Sequence, residues 1–304
     1  MALPAEFHEL AGKVNNWGRW GDDDELGTLN LLTDAVVARA AALVRDGKRF
    51  PLGLPLDENG PQLGMIPGRT NPTRTMHAVN SAMLGEDNPV RFSDDSVDMG
   101  LQAATHWDAL AHASYDGRLW NGFKASDIDD GGAHRCGIGN VTSLVGRGVL
   151  LDVARARGID RLEPGDAVTP ADLDACGVDV QPGDIVLVRT GHMQLFKSGD
   201  RAAYGGLSPG LGMATALWFH DHDVAAAATD TMPFDVFPPV REDCLLPLHL
   251  LDLVEMGMTQ GQNWVLDELA ADCAADGVYE FFLDASPLPF TRACGAPVQP
   301  VAIK

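Results

Sequence analysis

One short stretch of the chain carries the side chains best suited to chemistry. Residues 102–112 read QAATHWDALAH and place two imidazoles, a carboxylate and a carboxamide close together. If the stretch is extended, Gln102, His106 and Asp108 fall on one side. Their nitrogen and oxygen donors suit one divalent metal ion, which we expect to be Mn²⁺ or Zn²⁺. Such an ion lowers the pKa of a bound water to roughly 7 and polarises a carbonyl, so the first hypothesis is hydrolysis.

Two further histidines are candidates for moving protons. His112 lies four residues after Asp108, and His249 begins an apolar helical pattern where an imidazole must be satisfied or used. We therefore expect His112 and His249 to be catalytic, with a metal-ligand role open for His249. The same HxD pattern with a distant histidine also matches the facial triad of non-haem Fe(II) oxygenases. Those enzymes are built from many short strands, and the helical patterns here argue against that alternative.

Apolar runs alternate with helical patterns along the chain and indicate an α/β protein. The expected buried strands are Gly148–Val153, Asp184–Thr190 and Val224–Ala228. The expected helices are Asp34–Asp46 capped by Thr33, Pro170–Cys176, Gly210–His222 and Leu248–Met256. His220 and His222 would lie at the end of the third helix, and residues 51–75 are expected to form loops and short strands.

The first 32 residues differ from the rest because tryptophans alternate with glycines around Trp20. We expect residues 1–32 to form an arm and residues 33–304 to form a single domain. The arm either packs on the body of the protein or helps to wall a pocket, in its own subunit or a neighbouring one. Together with Trp107 and Trp120, Trp20 is a candidate for binding a flat, cyclic or aromatic small molecule.

Composition narrows the choice of partners. The 22 Lys and Arg residues stand against 43 Asp and Glu residues, which gives a net charge of −21. A field of that sign repels nucleic acid and anionic lipid surfaces, so neither is expected as a partner. No apolar run reaches the length of a membrane span, and the N-terminus lacks the pattern of a secretory signal. With five scattered cysteines and no CxxC pair, the chain is expected to be cytoplasmic.

These residues together resemble the cyclase family of metal-dependent hydrolases, which includes bacterial kynurenine formamidase, isatin hydrolase and a dienelactone hydrolase. Residues 102–112 are similar to the family motif HxGTHxDxPxH, and residues 16–30 are similar to the opening NWGRWGxxDELGTLN of one large branch. Further blocks follow in the family's order at residues 148–153, 183–191, 208–211 and 229–231. The resemblance implies a swivelling β/β/α fold, in which helices surround a mixed sheet, and assembly as a homodimer or homotetramer.

The resemblance also implies roles for single residues. His106 and Asp108 match metal ligands of the family, His112 matches the histidine placed for proton transfer, and the distal family histidine falls on His249. The chain departs from the pattern at Gln102, which replaces the first motif histidine. It departs again at Ala104 and Leu110, which replace the motif glycine and proline, and at Gln262, which replaces a late glutamate and is a candidate substrate contact.

The departures have a physical consequence, because they remove one strong ligand and one negative charge. We therefore expect one metal ion rather than two, and His112 or His249 as the base. The resulting function is metal-dependent hydrolysis of a cyclic amide, lactone or formamide-type bond. The alternative is a non-catalytic member of the family that only binds a ligand.

Overall fold

The computed structural model describes residues 3–304. Its helices are α1 (Ala5–Val14), α2 (Asp34–Ala41), α3 (Val153–Ala156), α4 (Pro170–Ala175), α5 (Met193–Lys197), α6 (Arg201–Tyr204), α7 (Thr215–Asp221), α8 (Pro247–Leu250) and α9 (Asp267–Asp276). A π-helical segment, Leu251–Met256, continues α8. Short 3₁₀ turns occupy Gly27–Leu31, Trp120–Gly122, Ala125–Asp127 and Ile138–Asn140. In these described residues no helix has the length and apolar character needed to cross a membrane.

The strands are β1 (Arg49–Pro51), β2 (Thr73–Ala82), β3 (Arg91–Asp98), β4 (His106–Asp108), β5 (Ile128–Asp129), β6 (Gly132–Ala133), β7 (Val145–Asp152), β8 (Ala167–Val168), β9 (Ile185–Arg189), β10 (Gly210–Leu211), β11 (Ala226–Thr229), β12 (Thr259–Gln262), β13 (Glu280–Asp284), β14 (Gly295–Pro297) and β15 (Val301–Ile303). Within residues 3–304, nine of them form the main sheet in the order β1-β15-β13-β7-β9-β11-β12-β4-β14. The centre, β7-β9-β11-β12, is parallel, whereas the strands on either side of it pair antiparallel.

The parallel centre is buried on both faces, as its near-continuous apolar runs predict. On β9, Ile185 and Leu187 join one core cluster, while the alternating Val186 and Val188 join the other. Each such side chain contributes about 1.5–3 kcal/mol by leaving water. Helices α1, α4 and α7 cover the second cluster and α9 covers the first. The expected mixed sheet surrounded by helices is thus confirmed.

Two expected helices are shorter than the sequence indicated. The helix after Thr33 ends at Ala41, although its cap forms as predicted, with the Thr33 hydroxyl accepting a hydrogen bond from the Val36 N–H. The stretch from Gly210 begins as strand β10, which pairs with β8, and becomes helical only at Thr215. His222 ends that helix, with its Nδ1 2.8 Å from the Trp218 carbonyl.

The N-terminal residues pack on the body of the protein. Helix α1 buries Phe7, Ala11 and Val14 in the second core cluster. After it, the Trp17 indole N–H donates to the Val254 carbonyl at 2.7 Å, so this segment lies against the π-helical turn.

A two-stranded ribbon, β2 with β3, forms a separate sheet whose residues are almost all exposed. It lies in sequence between the loop of residues 60–71 and the stretch that carries His106 and Asp108.

Candidate metal centre and its cavity

Strand β4, within the main sheet, carries the candidate metal ligands His106 and Asp108. It lies between β12 and β14, with His106 opposite Gln262 and Asp108 opposite Gln260 and Gly295. Because side chains alternate along a strand, His106 and Asp108 share one side while Trp107 points to the other. His106 Nε2 lies 3.4 Å from Asp108 Oδ1, so the two side chains are within reach of a common ligand.

The fully buried carboxylate of Asp108 is the centre of the cluster. Its Oδ1 also lies 3.7 Å from His112 Nε2, and its Oδ2 lies 3.9 Å from His249 Nε2. The Gln262 amide donates to Oδ2 at 2.8 Å and lies 3.3 Å from His249 Nε2. The fold therefore gathers three imidazoles and one amide around a single carboxylate.

Two of the imidazoles, those of His106 and His249, are each fixed by a hydrogen bond at Nδ1. His106 Nδ1 lies 2.7 Å from the Ala104 carbonyl, which can only accept, so Nδ1 carries the proton and Nε2 is free to bind. His249 Nδ1 lies 2.7 Å from Asp235 Oδ2, and Asp235 is itself buried. A histidine whose second nitrogen donates to a carboxylate or carbonyl is the usual arrangement of a metal ligand, because that bond fixes the tautomer and the ring orientation.

Electrostatics keep the central carboxylate charged. Burial opposes ionisation of Asp108, but the neighbouring imidazoles outweigh burial and hold its pKa below the usual range. Burial is the largest influence on His249 and lowers its pKa, but the hydrogen bond to Asp235 and the negative charges of Asp235, Asp108 and Asp252 together outweigh burial, so the net pKa is raised. At His112 the pull of Asp108 is outweighed by burial and by the positive charges of His249, His106 and Arg69, so its pKa is lowered. His112 is thereby suited to accept a proton near neutral pH.

The donor set fits a divalent metal ion. Among the described residues, His106 Nε2 and Asp108 Oδ1 are buried polar atoms without a hydrogen-bond partner. Buried polar atoms are otherwise almost always paired, and a cation between the two would satisfy both. Ligand atoms of Asp108, His112 and His249 also lie within 4.8 Å of one another. Imidazole and carboxylate donors without thiolate suit Zn²⁺ or Mn²⁺.

A cavity of about 230 Å³ opens above this cluster. His112, His249 and Gln262 contribute to its lining. The other lining residues are mostly apolar, with one cation among them: Gln62, Leu63, Met65, Ile66, Arg69, Gly205, Gly206, Met232, Pro233, Phe237, Leu245 and Leu246. A mostly apolar cavity with a few convergent polar groups is typical of a small-molecule site.

Gln102 lies outside the strand. Strand β4 begins at His106, so Gln102 sits in a turn rather than on an extended strip. Its amide nevertheless lies close to the centre, since a Cβ on Gly295 would be 2.7 Å from Gln102 Nε2, and Gly295 is the register partner of Asp108.

The tryptophans occupy other positions. Trp107 and Trp120 are fully buried, and their indole N–H groups donate to the carbonyls of Ala285 and Asp24. Trp20 packs against Trp120 with the ring centroids 6.2 Å apart. In the described part of the chain, the lining of the cavity includes none of the three. The structure brings them to the core and to the N-terminal segment instead.

Sequence reasoning missed two residues of this region. Asp235 holds His249, and its only sequence signal is an acid between the apolar residues Phe234 and Val236. Arg69 lines the cavity from a Gly- and Pro-rich loop, where a single arginine carries no pattern that marks it.

A mixed sheet with helices on both faces, and a buried carboxylate among three imidazoles, define an α/β protein with a candidate metal centre. The chain belongs to the Cyclase family, since the family model described as "Putative cyclase" matches residues 30–236. Among curated proteins, none matches the chain.

Solved structures agree with this membership. A crystal structure of a novel cyclase is 38% identical, with a TM-score of 0.88, over 96% of this chain and 100% of that one. Isatin hydrolase A from Labrenzia aggregata, bound to benzyl benzoate, is 20% identical with a TM-score of 0.62, over 89% of this chain and 98% of that one. A predicted metal-dependent hydrolase from Bacillus stearothermophilus is 18% identical with a TM-score of 0.56, over 85% of this chain and 98% of that one. The two likenesses at low identity show a shared fold.

Proposed function

We propose that this protein is a metal-dependent hydrolase that cleaves a cyclic amide, a lactone or a formamide-type bond in a small molecule. The observation that carries the proposal is the Asp108 carboxylate, surrounded by three imidazoles below an apolar cavity. Fold relatives that are isatin hydrolases or predicted metal-dependent hydrolases support the same reaction class.

In this proposal His106 Nε2 and Asp108 Oδ1 hold one divalent ion, Mn²⁺ or Zn²⁺, and His249 Nε2 stands beside the other carboxylate oxygen. Gln102 stays a candidate ligand, because its amide lies against the register partner of Asp108. The bound ion would activate water and polarise the scissile carbonyl. Asp235 fixes the ring of His249, so that Nε2 faces the centre.

His112 is the proposed proton-transfer residue. Its Nε2 lies 3.7 Å from Asp108 Oδ1, and its side chain is 21% exposed and lines the cavity. It therefore reaches both the buried carboxylate and a bound substrate. A neutral imidazole there can take a proton from the attacking water and return it to the leaving nitrogen or oxygen. Gln262 presents its amide to the same space and is the proposed polar contact for the substrate.

The test is the metal content of protein purified without added metal or chelator, together with a screen of lactones, cyclic amides and aryl formamides. We expect about one Mn or Zn per chain and turnover of at least one substrate class. His106→Ala should lose both metal and turnover, because it removes a ligand whose lone pair has no other partner.

His134→Ala is the matched control, since His134 is a partly exposed histidine paired with Asp129. It should keep both metal and turnover. A folded protein that neither contains metal nor takes up added Mn²⁺ or Zn²⁺ would refute the hydrolase and favour the ligand-binding alternative.

A further inference from the structure

Arg69 is the one arginine or lysine among the described residues that line the cavity above the metal centre. Its side chain is partly buried, with its stem against Gly100, where a Cβ would lie 3.1 Å from the Arg69 Cγ. Arg69 lines the same cavity as His112 and His249, so it lies near the reacting centre. Its positive charge lowers the pKa of His112, and the Asp108 carboxylate raises the pKa of Arg69.

The loop that carries Arg69 is fastened at its base. The Asn71 side chain accepts a hydrogen bond from the Gln62 N–H and donates to the Gln62 carbonyl, each at 2.9 Å. The Arg201 guanidinium also donates to the Gly60 carbonyl. Between these anchors, Leu63, Met65 and Ile66 are exposed, and all three line the cavity. The loop thus presents one cation and an apolar wall from a fixed base.

The guanidinium of Arg69 has no protein partner. Within residues 3–304 its side chain makes no hydrogen bond and no ion pair, whereas the other arginines near the core, such as Arg147 and Arg189, are each paired with carboxylates. Burial lowers the pKa of Arg69 and Asp108 opposes this effect. A guanidinium that is partly withdrawn from water and unpaired is costly, and its planar fork of donors matches a carboxylate.

The cavity is also free of acid. In a chain with a net charge of −21, none of the described lining residues is an aspartate or a glutamate. Asp108 lies beneath the cavity and is fully buried. A divalent ion bound at that carboxylate would leave the region positive, with Arg69 adding a further charge. The local field therefore favours an anionic ligand although the whole molecule is acidic.

We propose that Arg69 binds a carboxylate of the substrate, so that the protein acts on small aryl or alkyl carboxylates that carry the scissile bond as a separate group. This inference rests on the proposed function in taking the cavity as the substrate site. The apolar loop residues Leu63, Met65 and Ile66 cover the body of the ligand. The volume of about 230 Å³ fits a ligand with a single ring.

The test compares two probes of the same shape, 4-fluorobenzoate and 4-fluorobenzamide, by ¹⁹F NMR titration of the full chain as purified. We expect the carboxylate to bind about 10- to 100-fold more tightly than the amide, as a charged hydrogen bond provides. Arg69→Gln should remove that preference and leave binding of the amide unchanged. Arg69→Lys should restore part of it, because it keeps the charge without the fork.

Two further variants serve as controls for the Arg69 variants. Arg74→Gln removes an exposed arginine that pairs with Asp95, and the preference should persist. Gly100→Ala crowds the stem of Arg69 without changing any charge, and it should weaken only the carboxylate. Equal binding of the two probes by the native protein would overturn the inference. So would a preference that survives in Arg69→Gln, since the carboxylate would then bind elsewhere, for example at the metal ion.

The outcomes separate this inference from the proposed function. If the protein hydrolyses neutral lactones equally well with and without Arg69 and shows no preference between the probes, the hydrolase stands and the carboxylate site falls. If Arg69 governs binding of the carboxylate probe but no bond is cleaved in any substrate class, the hydrolase falls and the binding site stands.

Discussion

Replacing Asp235 with asparagine should disable the centre without removing any residue that faces the substrate. Both carboxylate oxygens of Asp235 are used: Oδ2 faces His249 Nδ1 and Oδ1 accepts from the Leu248 N–H, each at 2.7 Å. Asparagine keeps the shape but has one acceptor and one donor group. In one of the two contacts the asparagine N–H group then faces another donor, unless the His249 proton moves from Nδ1 to Nε2. In that tautomer Nε2 no longer offers a lone pair to the centre.

The expected size of the effect follows from these two contacts. Changing a carboxylate that supports a ligand histidine costs 10- to 100-fold in metal affinity or activity, or about 1.4–2.8 kcal/mol. A buried donor left without an acceptor costs about 1–3 kcal/mol of unfolding free energy. Asp235 is 1% exposed, so water cannot replace the lost acceptor.

The assay is competition for metal against a chelator of known affinity, with guanidinium unfolding of the same samples. Asp94→Asn on the exposed ribbon is the matched control, since it removes the same charge far from any buried group. Metal affinity in Asp235→Asn within about two-fold of the native protein, with unchanged stability, would refute the view that Asp235 sets the tautomer of His249.

The remaining predictions concern the ligand set, the packing and the pH dependence. His106→Ala should abolish metal binding and turnover, measured by elemental analysis and rate, and His134→Ala should change neither. Gly261→Ala should destabilise the protein by about 1–3 kcal/mol in a denaturant titration, because its Cβ would come within 2.7 Å of neighbouring core side chains. The Arg157 guanidinium holds the pKa of the Asp172 carboxyl below its usual range. That contribution is present above the unfolded pKa of 3.8 and is lost as pH falls. Asp172→Asn should therefore flatten the loss of stability between about pH 5 and pH 2; an unchanged slope would contradict this.

Much of the fold followed from local pattern. The strands β7, β9 and β11 were predictable because strands buried on both faces must be apolar throughout. Helix ends were less predictable, because good helix formers such as Ala42, Leu43 and Arg45 after Ala41 favour a helix whether or not the core needs one. The expected helix from Gly210 failed at its start because β8 offers a strand partner from a distant part of the chain, which no local pattern encodes.

At the candidate metal centre, the spacing of two residues along a strand was enough to predict that His106 and Asp108 lie side by side. The hydrogen bond between Asp235 and His249 could not be predicted from the sequence, because it depends on how a loop folds over α8. The large rings of Trp107 and Trp120 attract a binding hypothesis, but their size equally suits a core, and only the packing decides between the two. Arg69 could not be identified from the sequence, because its importance comes from the folded structure, in which its guanidinium has no protein partner within residues 3–304.

The anchoring of the loop between Gly60 and Asn71 has a consequence for how the molecule can change. Its ends are tied by hydrogen bonds from the Asn71 and Arg201 side chains to the main chain of Gln62 and Gly60, and none of these bonds involves a side chain of residues 63–70. His106 and His249 are positioned separately, by strand register on β4 and by α8. The segment between these anchors can therefore be exchanged as a unit. A loop of different length or charge grafted between the same two anchors should redirect the protein to new ligands while the reacting groups keep their places.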